Sequence, residues 1–93
     1  MYKRILLRIR ERVRSNQYVL TLHARREMNK DELRLFDVEH AILTGEIVER
    51  QIDKRTVEFK YRVRGLATDG SSVEVIVKIG PTFKMVVITV YRL

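Results

Sequence analysis

The chain has 93 residues, 45% hydrophobic and 33% charged, with a net charge of +7 and no cysteine. That length holds one modest core and not two, and the missing cysteines exclude disulfides, thiolate nucleophiles and thiolate metal sites. No apolar run approaches the roughly 20 residues that cross a bilayer, and "MYKRILLRIRERVRSN" interrupts its apolar residues with arginines, unlike a signal-peptide core. The expectation is a single cytoplasmic domain over 1–93, with no membrane partner. His23 and His40 lack the i, i+4 spacing of a helical zinc pair, so neither a metal nor another cofactor is expected.

Charge is unevenly spread. Residues 1–15 hold six basic and one acidic residue, 16–50 five and seven, and 51–93 eight and four, giving +5, −2 and +4. Basic ends around an acidic middle suggest a polyanion-facing surface, with nucleic acid as the leading partner.

Residues 1–15 read as a basic amphipathic helix. Ile5, Ile9 and Val13 recur at i, i+4 and i+8, with Arg4, Arg8 and Arg12 in a parallel row one residue earlier. That row either contacts RNA or an acidic partner or, more commonly for such an edge, is simply solvated. Tyr18-Val19-Leu20 reads as a short extended link, and residues 21–45 as a helical pair. Thr21 can cap a helix from Leu22 to about Asn29, and Asp37 can cap a third helix with Val38, Ala41 and Ile42 as its apolar stripe and Gly45 at its end.

From residue 46 the period changes to two. Val57, Phe59, Tyr61 and Val63 alternate with Glu58, Lys60, Arg62 and Arg64, and Val73, Val75, Val77 and Ile79 repeat the pattern. "KMVVITVYRL" is apolar on both faces and so reads as an interior strand. Connections at Asp53-Lys54-Arg55, Asp69-Gly70 and Gly80-Pro81 make residues 46–93 a four-stranded antiparallel sheet. The fold class expected is therefore α+β, with the helices packed on one face. Pleat parity then collects Arg62, Arg64, Lys78, Thr89 and Tyr91 on the other face, as a cationic surface with hydroxyls.

The order "TLHARREM", "DVEHAILTGEIVE", "YRVRGLATDG" and "VVITVY" resembles the bacterial family known as domain of unknown function 4258, over residues 19 to 91. The resemblance implies a RelE-like ribonuclease fold and a toxin of a type II toxin–antitoxin pair, since members are often encoded beside an MqsA-type zinc-finger antitoxin. His23 takes the place of the family's His-Ala histidine, Arg64 that of its arginine-glycine step, and Thr89-Val90-Tyr91 that of the terminal Thr-Val-Tyr. Many members read Glu-Arg-Met where this chain reads Arg26-Glu27-Met28. The inversion turns the arginine about 100° around the helix and leaves the part played by Arg26 open.

Ribonucleases of that kind align the 2′-hydroxyl with the adjacent phosphate, neutralise it and move protons. The expected catalytic residues are His23, Arg62, Arg64 and Tyr91, with Arg26, Lys78 and Thr89 binding substrate and Glu27 holding the His23 ring. Against this, His23 can border the Ala24 and Met28 core face without chemistry, and Arg62 and Arg64 can form a solvated face paired with Glu58 and Glu74. RNA and a protein antitoxin are the partners implied. The rivals are an RNA-binding module without cleavage and a protein-interaction domain pairing through the exposed strand "EIVERQI".

Overall fold

The computed structural model describes residues 1–79 and 84–93. In chain order its elements are α1 (Lys3–Arg14), β1 (Tyr18–Leu20), α2 (Leu22–Lys30), α3 (Leu35–Thr44), β2 (Glu46–Asp53), β3 (Glu58–Leu66), β4 (Ser72–Ile79) and β5 (Met85–Arg92). The class is α+β, as the change of period from 3.6 to two implied.

The sheet order is β1-β5-β4-β3-β2. It has five strands and is mixed, where four antiparallel strands were expected. The addition is Tyr18–Leu20, read from sequence as a link, which lies parallel to β5 with Tyr18 opposite Met85 and Leu20 opposite Val87. A three-residue strand is too short to display a period of two, so its pairing is visible only in three dimensions. β5 is interior, between β1 and β4, as its two apolar faces required.

The helices cover the sheet face that bears Val63, Val73, Val75, Val77, Val87 and Val90, all fully buried. Ile9 and Val13 from α1, Ala24 and Met28 from α2, and Val38, Ala41 and Ile42 from α3 complete the core. Thr21 caps α2 as expected. Its hydroxyl oxygen accepts from the Ala24 N–H at 3.0 Å and its hydroxyl donates to the Ile88 carbonyl at 2.9 Å, tying the first turn of α2 to β5. Arg10 is turned inward, donating to the Gly45 carbonyl at 2.7 Å just past the end of α3.

Two local readings are corrected. Asp37 is not the N-cap of α3, which begins at Leu35 with Arg34 as its cap. It sits at the third helical position, where Oδ2 accepts the Arg34 N–H at 2.9 Å. Val57 is not in a strand but closes the turn 54–57, 81% exposed and at φ +56°. The β-branched side chain is poorly suited to that left-handed region. Gly45 ends α3 as expected, with its backbone extended. Its role is close approach, since a Cβ there would lie 2.5 Å from the carbonyl oxygens of Ala41 and Arg64. The turn at Asp69-Gly70 is present, with Gly70 at φ +87°, and the hairpin expected at Gly80-Pro81 lies outside the described residues.

Candidate functional site

On the face of the sheet opposite the helices, alternation places Arg62 and Arg64 of β3, Glu74 of β4 and Tyr91 of β5 side by side. Arg64 is opposite Glu74, and Glu74 is opposite Tyr91. Glu74 is 1% exposed and is the centre of the group. Its carboxylate accepts from Arg64 Nε at 2.8 Å, from Arg62 Nη1 at 3.2 Å and from the Tyr91 hydroxyl, while Arg64 Nη2 forms an ion pair with it at 2.7 Å. Arg62 Nε also donates to Glu49 of β2 at 3.1 Å.

Burial pushes the Glu74 carboxyl up, but the hydrogen bonds from Tyr91, Arg64 and Arg62 outweigh it and hold the group below its ordinary range. The same hydrogen bond, followed by burial, raises the Tyr91 hydroxyl. Glu74 is therefore ionised and Tyr91 protonated at neutral pH. Chemically, the group can present guanidinium donors to an anion: a guanidinium has five N–H donors, more than Glu74 and Glu49 take, whereas the single Tyr91 O–H is given to Glu74.

The face is not the cationic surface expected. Strand alternation puts Lys60, Arg62, Arg64 and Lys78 there, but the register adds Glu46, Glu49, Asp53, Glu58 and Glu74, four bases against five acids. Lys78 is committed elsewhere, with Asp53 at 3.0 Å, Glu58 at 3.4 Å and the Thr56 hydroxyl at 3.2 Å. Thr89 shares the face, opposite Ile76, which is in turn opposite Arg62.

The remaining expected site residues stand apart on α2. His23 Nε2 lies 2.7 Å from Glu27 Oε1, the pairing anticipated from their i, i+4 spacing, with the His23 side chain 66% exposed. Arg26 is exposed. Neither makes a hydrogen bond or ion pair with Arg62, Arg64 or Tyr91. His23 nevertheless stands on the turn that Thr21 fastens to β5, the strand of Thr89 and Tyr91. His40, given no role from sequence, joins α3 to the end of β3 through Nδ1 and the Leu66 carbonyl at 2.7 Å. Among the described residues no group of three His, Cys, Asp or Glu is placed to hold a metal ion. No helix of the described residues is long and apolar enough to cross a membrane.

A family model described as domain of unknown function (DUF4258) matches residues 20–92. The chain belongs to this family. Neither the curated proteins nor the solved structures searched yield a match. The DUF4258 segment contains His23, the Arg64-Gly65 step and Thr89-Val90-Tyr91, but leaves α1 outside. Much of the sequence that carries the resemblance holds the fold of this chain together. Gly65 lies against the Ala41 backbone, and Asp37 Oδ1 accepts both the N–H and the hydroxyl of Thr68, at 2.9 and 2.6 Å. These contacts tie "DVEHAILTG" to "YRVRGLATDG".

Proposed function

We propose that the protein is a metal-independent endoribonuclease whose open sheet face holds the scissile phosphodiester. The observation that supports this reading is the convergence of Arg62, Arg64 and Tyr91, from two strands, on one buried carboxylate where no helix covers the sheet. Glu74 fixes the guanidinium planes before substrate arrives, so little reorganisation is needed as negative charge builds on the phosphate. The 2′-oxygen bonds to phosphorus while the bond to the 5′-oxygen breaks. The 2′-proton passes to a base, and the departing 5′-oxygen takes a proton. Arg64, half exposed, and Arg62 neutralise the phosphate, while Tyr91 releases Glu74, to which its one hydroxyl proton is bonded in the free protein, and gives that proton to the departing 5′-oxygen. His23, oriented by Glu27, is the proton acceptor that the family resemblance supplies to this scheme; it stands on α2 in the helical layer, so the RNA must pass around the β1 edge of the sheet to reach it. With RelE-like architecture, the protein is a toxin restrained by a protein antitoxin.

The test incubates the protein on end-labelled RNA in EDTA beside His23→Ala and Arg64→Ala. Fragments ending in cyclic phosphate are expected, at a rate lowered about 100-fold or more in each variant, with thermal unfolding unchanged in His23→Ala and Tm lowered in Arg64→Ala, which takes a partner from buried Glu74 and is assayed well below its Tm. Cleavage at the wild-type rate in both variants defeats the residue assignments. No cleavage of free or ribosome-bound RNA rejects the ribonuclease, and binding that persists then points to an RNA-binding module.

A second reading is favoured by β2. It is the longer of the two outer strands of the sheet, eight residues long, with Val48 42% and Ile52 59% exposed. Such an edge is a template for an added strand. It is the seat for the antitoxin under the first reading and the whole function under the second, which predicts salt-insensitive partner binding and negligible RNA affinity.

A further inference from the structure

The excess positive charge of the protein does not reside at the Glu74 cluster. Arg62 and Arg64 share Glu74, Lys78 faces Asp53 and Glu58, and Arg92 pairs with Asp69. α1 is the opposite case. Lys3, Arg4, Arg8 and Arg14 are exposed along its outer side, with Leu7 and Glu11 between them. None of the four forms an ion pair among the described residues. The stripe Ile5, Ile9 and Val13 turns toward the core, so the four cations fall on the remaining arc of the helix, Lys3 and Arg4 in its first turn, Arg8 in the next and Arg14 in the last, with Glu11 between the last two.

Two observations separate this face from an ordinary solvated edge. Lys3 and Arg4 stand in the first turn, which has no acidic residue. There the positive end of the helix dipole opposes them, so their placement works against the helix itself. α1 also lies outside the DUF4258 match, which begins at residue 20, yet residues 1–15 carry +5 from six basic and one acidic residue.

We propose that the outer face of α1 is a docking surface for the phosphate backbone of RNA, held through Lys3, Arg4, Arg8 and Arg14. Only the choice of polymer rests on the ribonuclease reading. An inserting membrane helix needs a free apolar face, and within α1 Leu7 is the only large apolar residue exposed. A protein partner would be held around a cluster of apolar or aromatic anchors, and on this face of α1 Leu7 stands alone. A polyphosphate chain needs only cations. Twelve residues give α1 a length of about 18 Å, enough to follow several phosphates. Because α1 belongs to the helical layer, this surface is separate from the Arg62–Arg64 face.

The test measures anisotropy of a labelled RNA bearing 2′-O-methyl groups, which cannot be cut by 2′-hydroxyl attack, from 50 to 200 mM salt. The full chain is compared with K3Q/R4Q/R8Q/R14Q, with the charge-matched K30Q/K54Q/R55Q/K84Q and with Arg64→Ala. Glutamine keeps helix propensity, and circular dichroism verifies the fold of each. The α1 variant should bind about 100-fold more weakly at 100 mM salt, with the slope of log affinity against log salt reduced by about 2 to 3. The matched variant should lose less than tenfold. Equal losses in both quadruple variants reduce the effect to net charge and overturn the proposal, as does wild-type affinity in the α1 variant. Polyglutamate competing as well as RNA of equal length assigns the face to acidic protein and also overturns it. If no RNA is ever cut but the α1 effect holds, the ribonuclease reading falls and this one stands.

Discussion

Asp37 holds two parts of the chain with one carboxylate. Its bonds to the Thr68 hydroxyl first, then to the Arg34 and Thr68 N–H groups, lower its pKa from 3.8 to about 2. The folded value lies below the unfolded one, so the ionised group stabilises fully above pH 3.8 and its contribution is lost as pH falls through about 2. Acid unfolding followed by circular dichroism should therefore show a loss of stability in that window. Asp37→Asn should flatten it and cost about 1–2 kcal/mol at neutral pH; an unchanged acid limb would show that the carboxylate does not hold the fold. The sequence places Asp37 at the start of a helix, yet Thr68 is out of reach of local patterns. Glu74 was partly legible. It is the one acid within "SVEVIVKI", and parity puts it on the face of Arg62 and Arg64, but only the register shows that it is buried and central, not one partner on a solvated face.

At the level of elements, α3 and β3 come into backbone contact at Ala41 and Gly65. A Cβ on Gly65 would overlap the Ala41 carbonyl, with the Ala41 Cα only 2.9 Å away. Gly70, in contrast, has φ +87° and nothing within 4 Å of a built Cβ. Gly65→Ala should cost about 3 kcal/mol or more because backbone must move, whereas Gly70→Ala should cost about 1 kcal/mol from conformation alone. Urea titration of the two variants separates these causes, and equal losses would refute the close-contact account. The long periodic elements were readable because each shows its buried face several times: α1, α2 and the strands from residue 46 fall within a few residues of expectation. β1 and the turn at Val57 were not, since three residues carry no period and an alternating "VEFKYRV" continues its pattern into a turn that only backbone geometry ends.

For the whole molecule, the family match and the folding unit have different limits. Residues 20–92 match DUF4258, but Ile9 and Val13 of α1 are 0% and 5% exposed within the common core. Removing residues 1–16 should cost about 3 kcal/mol or more and lower Tm by over ~12 °C; an unchanged calorimetric Tm would make α1 a mere appendage. Net charge and its two basic ends were plain in the sequence, whereas which cations are neutralised depended on register and could not be. The parallel pair of β1 and β5 also bears on how the molecule assembles. β2, β3 and β4 join neighbours in sequence and can form early, but Tyr18 meets Met85 from the far end of the chain, a closure with a larger entropic cost. Until that last docking, β5 has one unpaired edge and is apolar on both faces, the state most prone to pairing with other chains. Three residues of β1 thus cover the first three residues of the edge by which the protein's most apolar strand would aggregate.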